Sequence, residues 1–184
     1  KHITADSIYA TSHPCFYLPT KVKKWSLNFL NKNYKFKKRI ETYKKIFIDR
    51  DQFKLLDLEN LKEYRNYRVL LNEKEIKTFV KSKGYKIIKP ENFSFKEQIN
   101  IFNSAEVIVS LYGAAMMMIT FCNSNAKILE IKPEKSGNEF KNISNKLNLL
   151  HEQIKVKPKY KSSTPQNGLL FCNLNMIKNK LKKL

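Results

Sequence analysis

Arginine is rare in this chain of 184 residues, and its rarity singles out two positions. Four of the 36 basic residues are arginine, and lysine supplies all the others. Arg50 follows an apolar run that is typical of a strand, and Arg68 opens the segment Arg-Val-Leu-Leu-Asn-Glu. A guanidinium holds its donors in a planar fork that matches phosphate oxygens, which a lysine ammonium does not. Arg50 and Arg68 are therefore candidate anion-binding residues.

A second candidate for anion binding lies in residues 105–132. The β-branched run 107–109 leads into the small residues Gly113, Ala114 and Ala115, and an apolar helix is predicted after them. The start of a helix offers free backbone N–H groups and the positive end of the helix dipole. The same pattern also fits an ordinary buried βαβ unit, whose strands need such apolar runs. One glycine is weaker evidence for phosphate binding than a full Gly-x-Gly-x-x-Gly fingerprint.

The arginines have a structural explanation as well. Arg50 could pair at the surface with Asp49 or Asp51, and Arg68 could pair with Glu63. Surface pairs of this kind contribute little and need no ligand. The residues alone leave both explanations open.

Composition limits the classes of protein to consider. A net charge of +20 suggests nucleic acid as a partner, but the lysines are spread along the chain without a basic stripe of interleaved aromatics. We therefore expect no nucleic-acid binding and a solvated basic surface that favours acidic substrates or anionic lipid head groups. Three widely spaced cysteines and the lack of an apolar run of about 18 residues predict a cytoplasmic protein, with peripheral membrane association left open.

The elements that position the candidates follow from periodicity and turn chemistry. The sequence predicts strands at 8–10, 45–49, 85–89, 105–110, 127–131 and 153–156, and helices at 21–32, 72–83, 94–104, after 113, at 136–150 and at 173–184. Alternation of strands and helices with short connections predicts an α/β fold, a Rossmann-like parallel sheet with helices on both faces. Ligands of such sheets bind outside the carboxyl ends of the strands.

The chain is expected to form a single domain. An N-terminal extension and helix take 1–44, the core takes 45–156, and a basic loop and closing helix take 157–184. The first residue is lysine, which leads us to expect an upstream domain that this sequence lacks.

Helix boundaries rest on specific residues. In the first helix Val22, Trp25, Phe29 and Leu30 recur at helical spacing and predict its core face. Asn72 is the expected cap of the second helix. Further signals are Gly84 as its stop, a Ser94–Glu97 capping box and Asn173 as the cap of the closing helix.

Several short motifs, taken in their order along the chain, resemble those of glycosyltransferase family 61, a family of sugar transferases. The matching segments lie at 47–50, 68–73, 84–85, 94–98 and 112–118 and at Glu130. The family turn His-Gly-Ala-Gly-Leu-Thr-Asn falls on 112–118, where this chain has Tyr112 for the histidine and Met118 for the asparagine. Tyrosine, with a pKa of about 10, is a poor base at neutral pH, and methionine cannot replace an amide. The run Met116 to Met118 is more simply explained as core filling.

The resemblance implies the carboxyl-terminal, nucleotide-sugar half of a GT-B glycosyltransferase of polysaccharide or O-linked sugar synthesis. It implies an inverting transfer to a glycan hydroxyl, a UDP-sugar as the expected donor, no tightly bound cofactor and no required metal. Catalytic roles then fall on Arg50, Arg68 and Tyr112, with the arginines clamping the diphosphate. Substrate-binding roles fall on Ser110, Gly113, Ala114, Ala115, Gln98 and Glu130, the last toward the ribose hydroxyls. The general base and the oligomeric state are not indicated.

Two other functions fit the residues. The loss of polar groups at Tyr112 and Met118 fits a relative that binds a ligand without transferring it. The net charge fits a basic nucleic-acid-binding α/β domain, which predicts binding with a steep salt dependence.

Overall fold

A computed structural model describes residues 22–34, 42–51 and 56–184, so the strand predicted at 8–10 lies outside the described residues. The strands are Lys45–Ile48 (β1), Arg68–Leu70 (β2), Lys86–Ile88 (β3), Val107–Leu111 (β4), Lys127–Pro133 (β5), Leu150–Val156 (β6) and Gly168–Leu170 (β7). The α-helices are Lys24–Asn33 (α1), Glu73–Ser82 (α2), Phe95–Ser104 (α3), Glu139–Lys146 (α4) and Leu174–Leu181 (α5). Three 3₁₀ helices take Leu61–Asn66, Pro90–Asn92 and Ala114–Phe121.

Five of the strands form one fully parallel sheet in the order β3-β1-β4-β5-β6. The strands at its centre are short apolar runs because they are covered by helices on both faces. Alternate residues of β1 point to opposite faces, so Ile46 and Ile48 join one core cluster while Phe47 joins the other. The predicted Rossmann-like α/β fold is confirmed.

Each face of the sheet has its own helical layer. Ile46, Ile108 and Ile128 meet α1, α3, α4 and the 3₁₀ helix Ala114–Phe121 on the first face. On the second face the core is closed by α2 and α5, through side chains that include Ile76, Val80 and Ile177. None of the helices in the described ranges is long and apolar enough to cross a membrane.

A second, two-stranded sheet was not predicted. β2 pairs in parallel with β7, with Arg68 opposite Gly168 and Leu70 opposite Leu170. The two leucines are buried in the second core cluster. The basic segment before β7, expected to be an exposed loop or linker, therefore leads into a strand that packs on the sheet.

The predicted core face of α1 is confirmed for Val22 and Leu30, which lie in or against the first core cluster, and is wrong for Trp25 and Phe29. Trp25 is 66% exposed and Phe29 is 57% exposed, whereas Leu27 is 2% exposed. Asn31 lies one helical turn after Leu27, and its side-chain amide donates to the carbonyls of Thr120 (2.9 Å) and Cys122 (3.0 Å). The polar contact fixes the Leu27 side of the helix against the core and turns the two large aromatic rings outward.

Other boundaries were partly right. Gly84 follows α2 with a φ of +79°, and the Ser94–Glu97 capping box is present, as predicted. Asn173 caps α5 by accepting a hydrogen bond from the Asn175 N–H at 2.8 Å. The helix predicted over 136–150 is shorter, and the final strand of the sheet starts at Leu150.

Asn72 does not act as the expected side-chain cap of α2. Its amide instead donates to the Cys172 carbonyl at 2.9 Å and accepts from the Cys172 N–H at 3.1 Å. The side chain therefore ties the start of α2 to the chain segment that follows β7.

Candidate functional site

The strand order creates a switch point between β1 and β4. From β1 the chain crosses to β3 on one side and then returns to β4 on the other side. In open parallel sheets a crevice forms at the carboxyl ends of two such strands, because their connections leave in opposite directions. Arg50 follows β1 and Gly113 follows β4, so both lie at this crevice.

Arg50 and Arg68 converge on Gly113. A Cβ atom added to Gly113 would lie 2.8 Å from Arg50 Nη1 and 3.2 Å from Arg68 Nη1. Both guanidinium groups also donate to the Tyr112 carbonyl, Arg68 at 2.7 Å and Arg50 at 3.5 Å. Two residues that were predicted separately are therefore brought together, and the glycine gives them the space to approach the backbone.

Arg68 reaches the crevice from the small sheet. Its Nε donates to the Gln166 carbonyl at 2.6 Å, and its Nη2 lies 3.4 Å from Asn167 Oδ1. The β2–β7 pairing places Gln166 and Asn167 beside Arg68, because Gly168 is its register partner. The loop that was expected to be a linker thus forms one wall of the arginine site.

The arginine pair concentrates positive charge in a partly buried place. Burial lowers the pKa of Arg50, and the negative charge of Glu73 acts in the opposite direction. Burial also lowers the pKa of Arg68, and the nearby charge of Arg50 lowers it further. The two positive charges repel each other, so an anion bound between them would be strongly stabilising.

Buried acids lie next to Arg50. Asp49 and Glu73 share Lys77, whose Nζ is 2.7 Å from Asp49 Oδ1 and 3.4 Å from Glu73 Oε2. Burial raises the pKa of Glu73 to about 7, Lys77 opposes that rise and Asp49 adds to it. Asp51, the other predicted surface partner of Arg50, lies 2.7 Å from Lys89 Nζ.

Tyr112 contributes its carbonyl and its ring to the site. The Tyr112 hydroxyl donates to Glu139 Oε2 at 3.0 Å, and the Arg68 guanidinium carbon lies 4.8 Å from the centre of the ring. Burial, together with the hydrogen bond to Glu139, raises the pKa of Tyr112 to about 12. The hydroxyl therefore stays protonated at neutral pH and cannot serve as a base.

Lys132 supports the same ring from β5. The side chain is fully buried, and its Nζ lies 5.8 Å from the centre of the Tyr112 ring. The ammonium donates to the Gly137 carbonyl and to Asn138 Oδ1, both at the entrance to α4. Burial lowers the pKa of this lysine. The sequence assigns no role to Lys132, which lies near the carboxyl end of β5 because that strand continues to Pro133.

Glu130 does not lie at the end of a strand as predicted. β5 continues to Pro133, so Glu130 is opposite Ser110 within the sheet and is 1% exposed. Gln153 donates to Glu130 Oε2 at 2.6 Å, and His151 Nε2 lies 3.2 Å from the same oxygen. Within the described part of the chain, the other carboxylate oxygen is buried and has no hydrogen-bond partner.

The remaining predicted residues divide between buried and accessible positions. Ser110 is buried, and its hydroxyl donates to the Leu111 carbonyl at 2.9 Å. Gln98 donates to the carbonyls of Pro90 (2.9 Å) and Phe93 (3.0 Å), so it orients the turn after β3. Ala114 is exposed and Ala115 is half-buried.

The run of three methionines is only partly core. Met116 and Met118 are buried at 0% and 7% exposure, while Met117 is 47% exposed. These residues belong to the 3₁₀ helix Ala114–Phe121, which takes the place of the predicted apolar helix. The first N–H groups of that helix lack partners within it and lie directly after Gly113.

Metal ligands do not gather in the described residues. No three His, Cys, Asp or Glu side chains there lie close enough together to hold a metal ion. The charged groups that meet at Gly113 are the two arginines.

A parallel Rossmann-like sheet with two arginines at its switch point defines an α/β protein with two clustered cations at one edge of its sheet. The chain belongs to glycosyltransferase family 61, because the family model described as Glycosyltransferase 61 matches residues 3–129. Membership indicates glycosyltransferase activity in general. A comparison with curated proteins found no match.

The family match includes some of the predicted site residues and excludes others. Arg50, Arg68 and Gly113 lie within it, and Glu130 lies one residue beyond its end. The loop that holds Arg68 in place, through Gln166 and Asn167, is also outside the matched region.

Proposed function

We propose that this chain transfers a sugar from a nucleotide-sugar donor, with a UDP-sugar as the expected donor, to a hydroxyl group of a glycan. Family membership supports sugar transfer in general. The observation that supports a nucleotide sugar as the donor is the convergence of Arg50 and Arg68 on Gly113 at the switch point. Two guanidinium forks from different strands suit the oxygens of a diphosphate, which carries more charge than one arginine can neutralise.

The proposed chemistry uses these groups on the leaving diphosphate. The acceptor oxygen attacks the anomeric carbon, the bond from that carbon to the diphosphate oxygen breaks, and the nucleoside diphosphate departs with the electron pair. Arg50 and Arg68 stabilise the charge that develops on it, and the backbone N–H groups of Gly113 to Ala115 add further donors. Fixed donors of this kind need no metal, so we propose transfer without a required metal or a tightly bound cofactor.

Attack on the face opposite the leaving group inverts the anomeric configuration and requires a base for the acceptor proton. Tyr112 does not meet that requirement, because its pKa is raised to about 12. We therefore place the base and the acceptor site in a second half of a GT-B arrangement. A cytoplasmic role in polysaccharide synthesis, peripheral to a membrane, completes the proposal.

Donor binding is the direct test. We would measure thermal shifts and calorimetric titrations of the full-length protein with UDP-, GDP- and CMP-sugars, since a ligand that binds the folded state raises its melting temperature. Arg50→Lys and Arg68→Lys each keep the charge but lose the fork, and each is expected to weaken donor binding by about tenfold to a hundredfold.

Arg65→Lys is the matched control. Arg65 is exposed, and its guanidinium donates to the Lys62 carbonyl at 3.3 Å. We expect its donor affinity to equal that of the wild type. Equal loss of affinity in all three variants, or the absence of binding to every nucleotide sugar, would refute the proposed donor site.

One observation favours a second function, a binding relative without transfer. The family histidine is replaced by Tyr112, whose hydroxyl is held by Glu139 and stays protonated. This alternative predicts donor binding without release of free nucleoside diphosphate. The double change Tyr112→His and Met118→Asn should then improve donor binding, and no improvement would count against it.

A further inference from the structure

A groove between α2 and α5 lies at the opposite end of the sheet from the arginine pair. It encloses about 780 Å³. Lys45, the first residue of β1, and Tyr85, which precedes β3, both line it, so it lies at the amino ends of these parallel strands. Its size falls within the range of small-ligand sites, which is about 300 to 1,000 Å³.

The groove is strongly basic. Lys45, Lys83, Lys178 and Lys182 line it and all four are exposed, while none of its lining residues is acidic. Lysine ammonium groups act as hydrated point charges, in contrast to the guanidinium forks at the other end of the sheet. The groove therefore suits an anion that needs charge neutralisation without a fixed bidentate geometry.

The floor of the groove is aromatic, but its rings already carry cations. Lys178 Nζ lies 5.6 Å from the centre of the Phe79 ring, and Lys45 Nζ lies 5.8 Å from the centre of the Tyr85 ring. Tyr85 is only 8% exposed. Single-stranded nucleic acids need open ring faces for base stacking, so this floor is poorly suited to them.

We propose that this groove binds the phosphate head groups of anionic phospholipids and so holds the protein on a membrane surface. The lysine rim would meet the phosphates of the head groups. This site is independent of the proposed donor site and would exist in a protein without transferase activity.

α5 takes part through its polar side. Its apolar residues Leu174, Ile177 and Leu181 pack into the second core cluster, so they are already used within the protein. Lys178 on this helix and Lys182, the residue that follows its end, line the groove. Attachment therefore rests on lysine contacts with head groups, and the helix does not need to leave the sheet.

The position of the groove leaves the arginine site accessible. Parallel strands have their two ends on opposite edges, so a membrane at the amino ends faces away from Arg50 and Arg68. Lys44, at the same edge, has an 81% exposed side chain and forms a 3.1 Å ion pair with Glu106. The lysine therefore offsets the negative charge of Glu106 at this edge.

Vesicle binding of the full chain tests the proposal. We would measure co-sedimentation with vesicles of phosphatidylglycerol mixed into phosphatidylcholine, and with vesicles of phosphatidylcholine alone. The groove variant changes Lys45, Lys83, Lys178 and Lys182 to Gln. We expect wild-type binding only to the anionic vesicles, and a loss of at least about thirtyfold in the groove variant, since each lysine near the surface contributes separately.

A control variant of equal net charge separates the groove from general attraction by a basic protein. It changes Lys23, Lys24, Lys32 and Lys96 to Gln, all exposed and carried at or near α1 and α3 on the other face of the sheet. We expect a loss of about fivefold or less, because these lysines act only through screened long-range attraction. Equal losses in the two variants would overturn the proposal.

Two further measurements address other ligands and folding. Inorganic phosphate and a single-stranded oligonucleotide are titrated into wild type and groove variant. Groove-dependent binding of either one, without groove-dependent vesicle binding, would overturn the assignment to lipid. If the groove variant shows a lower melting temperature, Lys178→Gln with Lys182→Gln replaces it, and unchanged vesicle binding by that folded variant would also overturn the proposal.

Discussion

Gly113 offers a direct test of the arginine pair, because the guanidinium groups leave no room for a side chain there. In Gly113→Ala the new methyl group would lie 2.8 Å from Arg50 Nη1, so the end of that flexible side chain must move. Movement of a side-chain end costs the fold little, and we expect a stability change below about 1 kcal/mol. Donor affinity should fall by about tenfold or more, measured by calorimetry, since the two forks lose their shared geometry.

Gly84→Ala supplies the opposite pattern as a control. Gly84 has a φ of +79° with open space around it, and it lies beyond the end of α2. An alanine in this left-handed conformation should cost about 1 kcal/mol of stability and leave donor affinity unchanged. If Gly113→Ala lowered stability and left donor affinity unchanged, as expected for Gly84→Ala, Gly113 would matter for folding and not for the arginine site.

Glu73 gives the protein a specific pH dependence. Burial raises its pKa from 4.5 to about 7, so between these values the folded chain binds more protons than the unfolded chain. The stabilisation from this group is complete below pH 4.5 and is lost as the pH rises through about 7. Urea unfolding at several pH values from about 5 to 8 should show stability falling toward the alkaline end.

Glu73→Gln keeps the shape of the protonated acid and should flatten that slope. Glu91→Gln, at an exposed position in the 3₁₀ helix Pro90–Asn92, is the control and should keep the wild-type slope. If the Glu73→Gln variant lost as much stability as the wild type between about pH 5 and 8, a group other than Glu73 would carry the effect.

The two-stranded sheet of β2 and β7 connects distant parts of the chain to the site. Asn72 fastens it through two hydrogen bonds to the Cys172 backbone, at 2.9 and 3.1 Å. Asn72→Ala should cost about 1 to 3 kcal/mol in urea unfolding, because it leaves backbone groups without partners. It should also weaken donor binding several-fold, since β7 carries the loop that holds Arg68.

Asn173→Ala is the matched control for that prediction. It removes the side chain that caps α5 and should cost about 1 kcal/mol, with donor affinity unchanged. Equal effects of the two variants on donor affinity would mean that the position of Arg68 does not depend on the β2–β7 connection.

The sequence predicts the central elements better than the small sheet, for a physical reason. β1 and β4 each contain an apolar run of three residues and β5 contains a run of two, because both faces of these strands are buried. β2 and β7 have three residues each and are stabilised by a partner about a hundred positions away, which no local pattern records.

The candidate site shows the same division. The rarity of arginine and the apolar run before Gly113 identify three residues that the fold brings together. The sequence does not show that β5 extends to Pro133, and this extension buries Glu130 and brings Lys132 beneath Tyr112. It also does not show that Asn167 reaches Arg68, since that contact depends on the pairing of β7.

Helix α1 shows a limit of hydrophobic spacing. Trp25 and Phe29 are the largest apolar side chains of the helix, and their spacing alone favours them for the core. The observed face is selected instead by Leu27 and by hydrogen bonds from Asn31 to the backbone near Cys122. A polar residue that satisfies buried carbonyl groups can decide the orientation of a helix.

The family match ends at residue 129, but the folded core does not. Beyond it, β6 pairs with β5 over its whole length, and α5 closes the second core cluster with Ile177 fully buried. A chain that ends at residue 149 loses β6, β7 and α5. We expect it to show no cooperative urea transition, whereas a chain that ends at residue 173 should unfold cooperatively but be about 3 to 5 kcal/mol less stable.

Two neighbouring substitutions in the full chain separate loss of burial from loss of chain length. Ile177 is fully buried, and Met176, one position earlier on α5, is 44% exposed. Ile177→Ala should cost about 2 to 5 kcal/mol in urea unfolding, and Met176→Ala should change stability by less than about 0.5 kcal/mol. We expect the same donor affinity in both variants under conditions in which both are folded, because α5 borders the groove at the opposite end of the sheet from the arginines. Equal stability of the two variants would mean that α5 does not close this core.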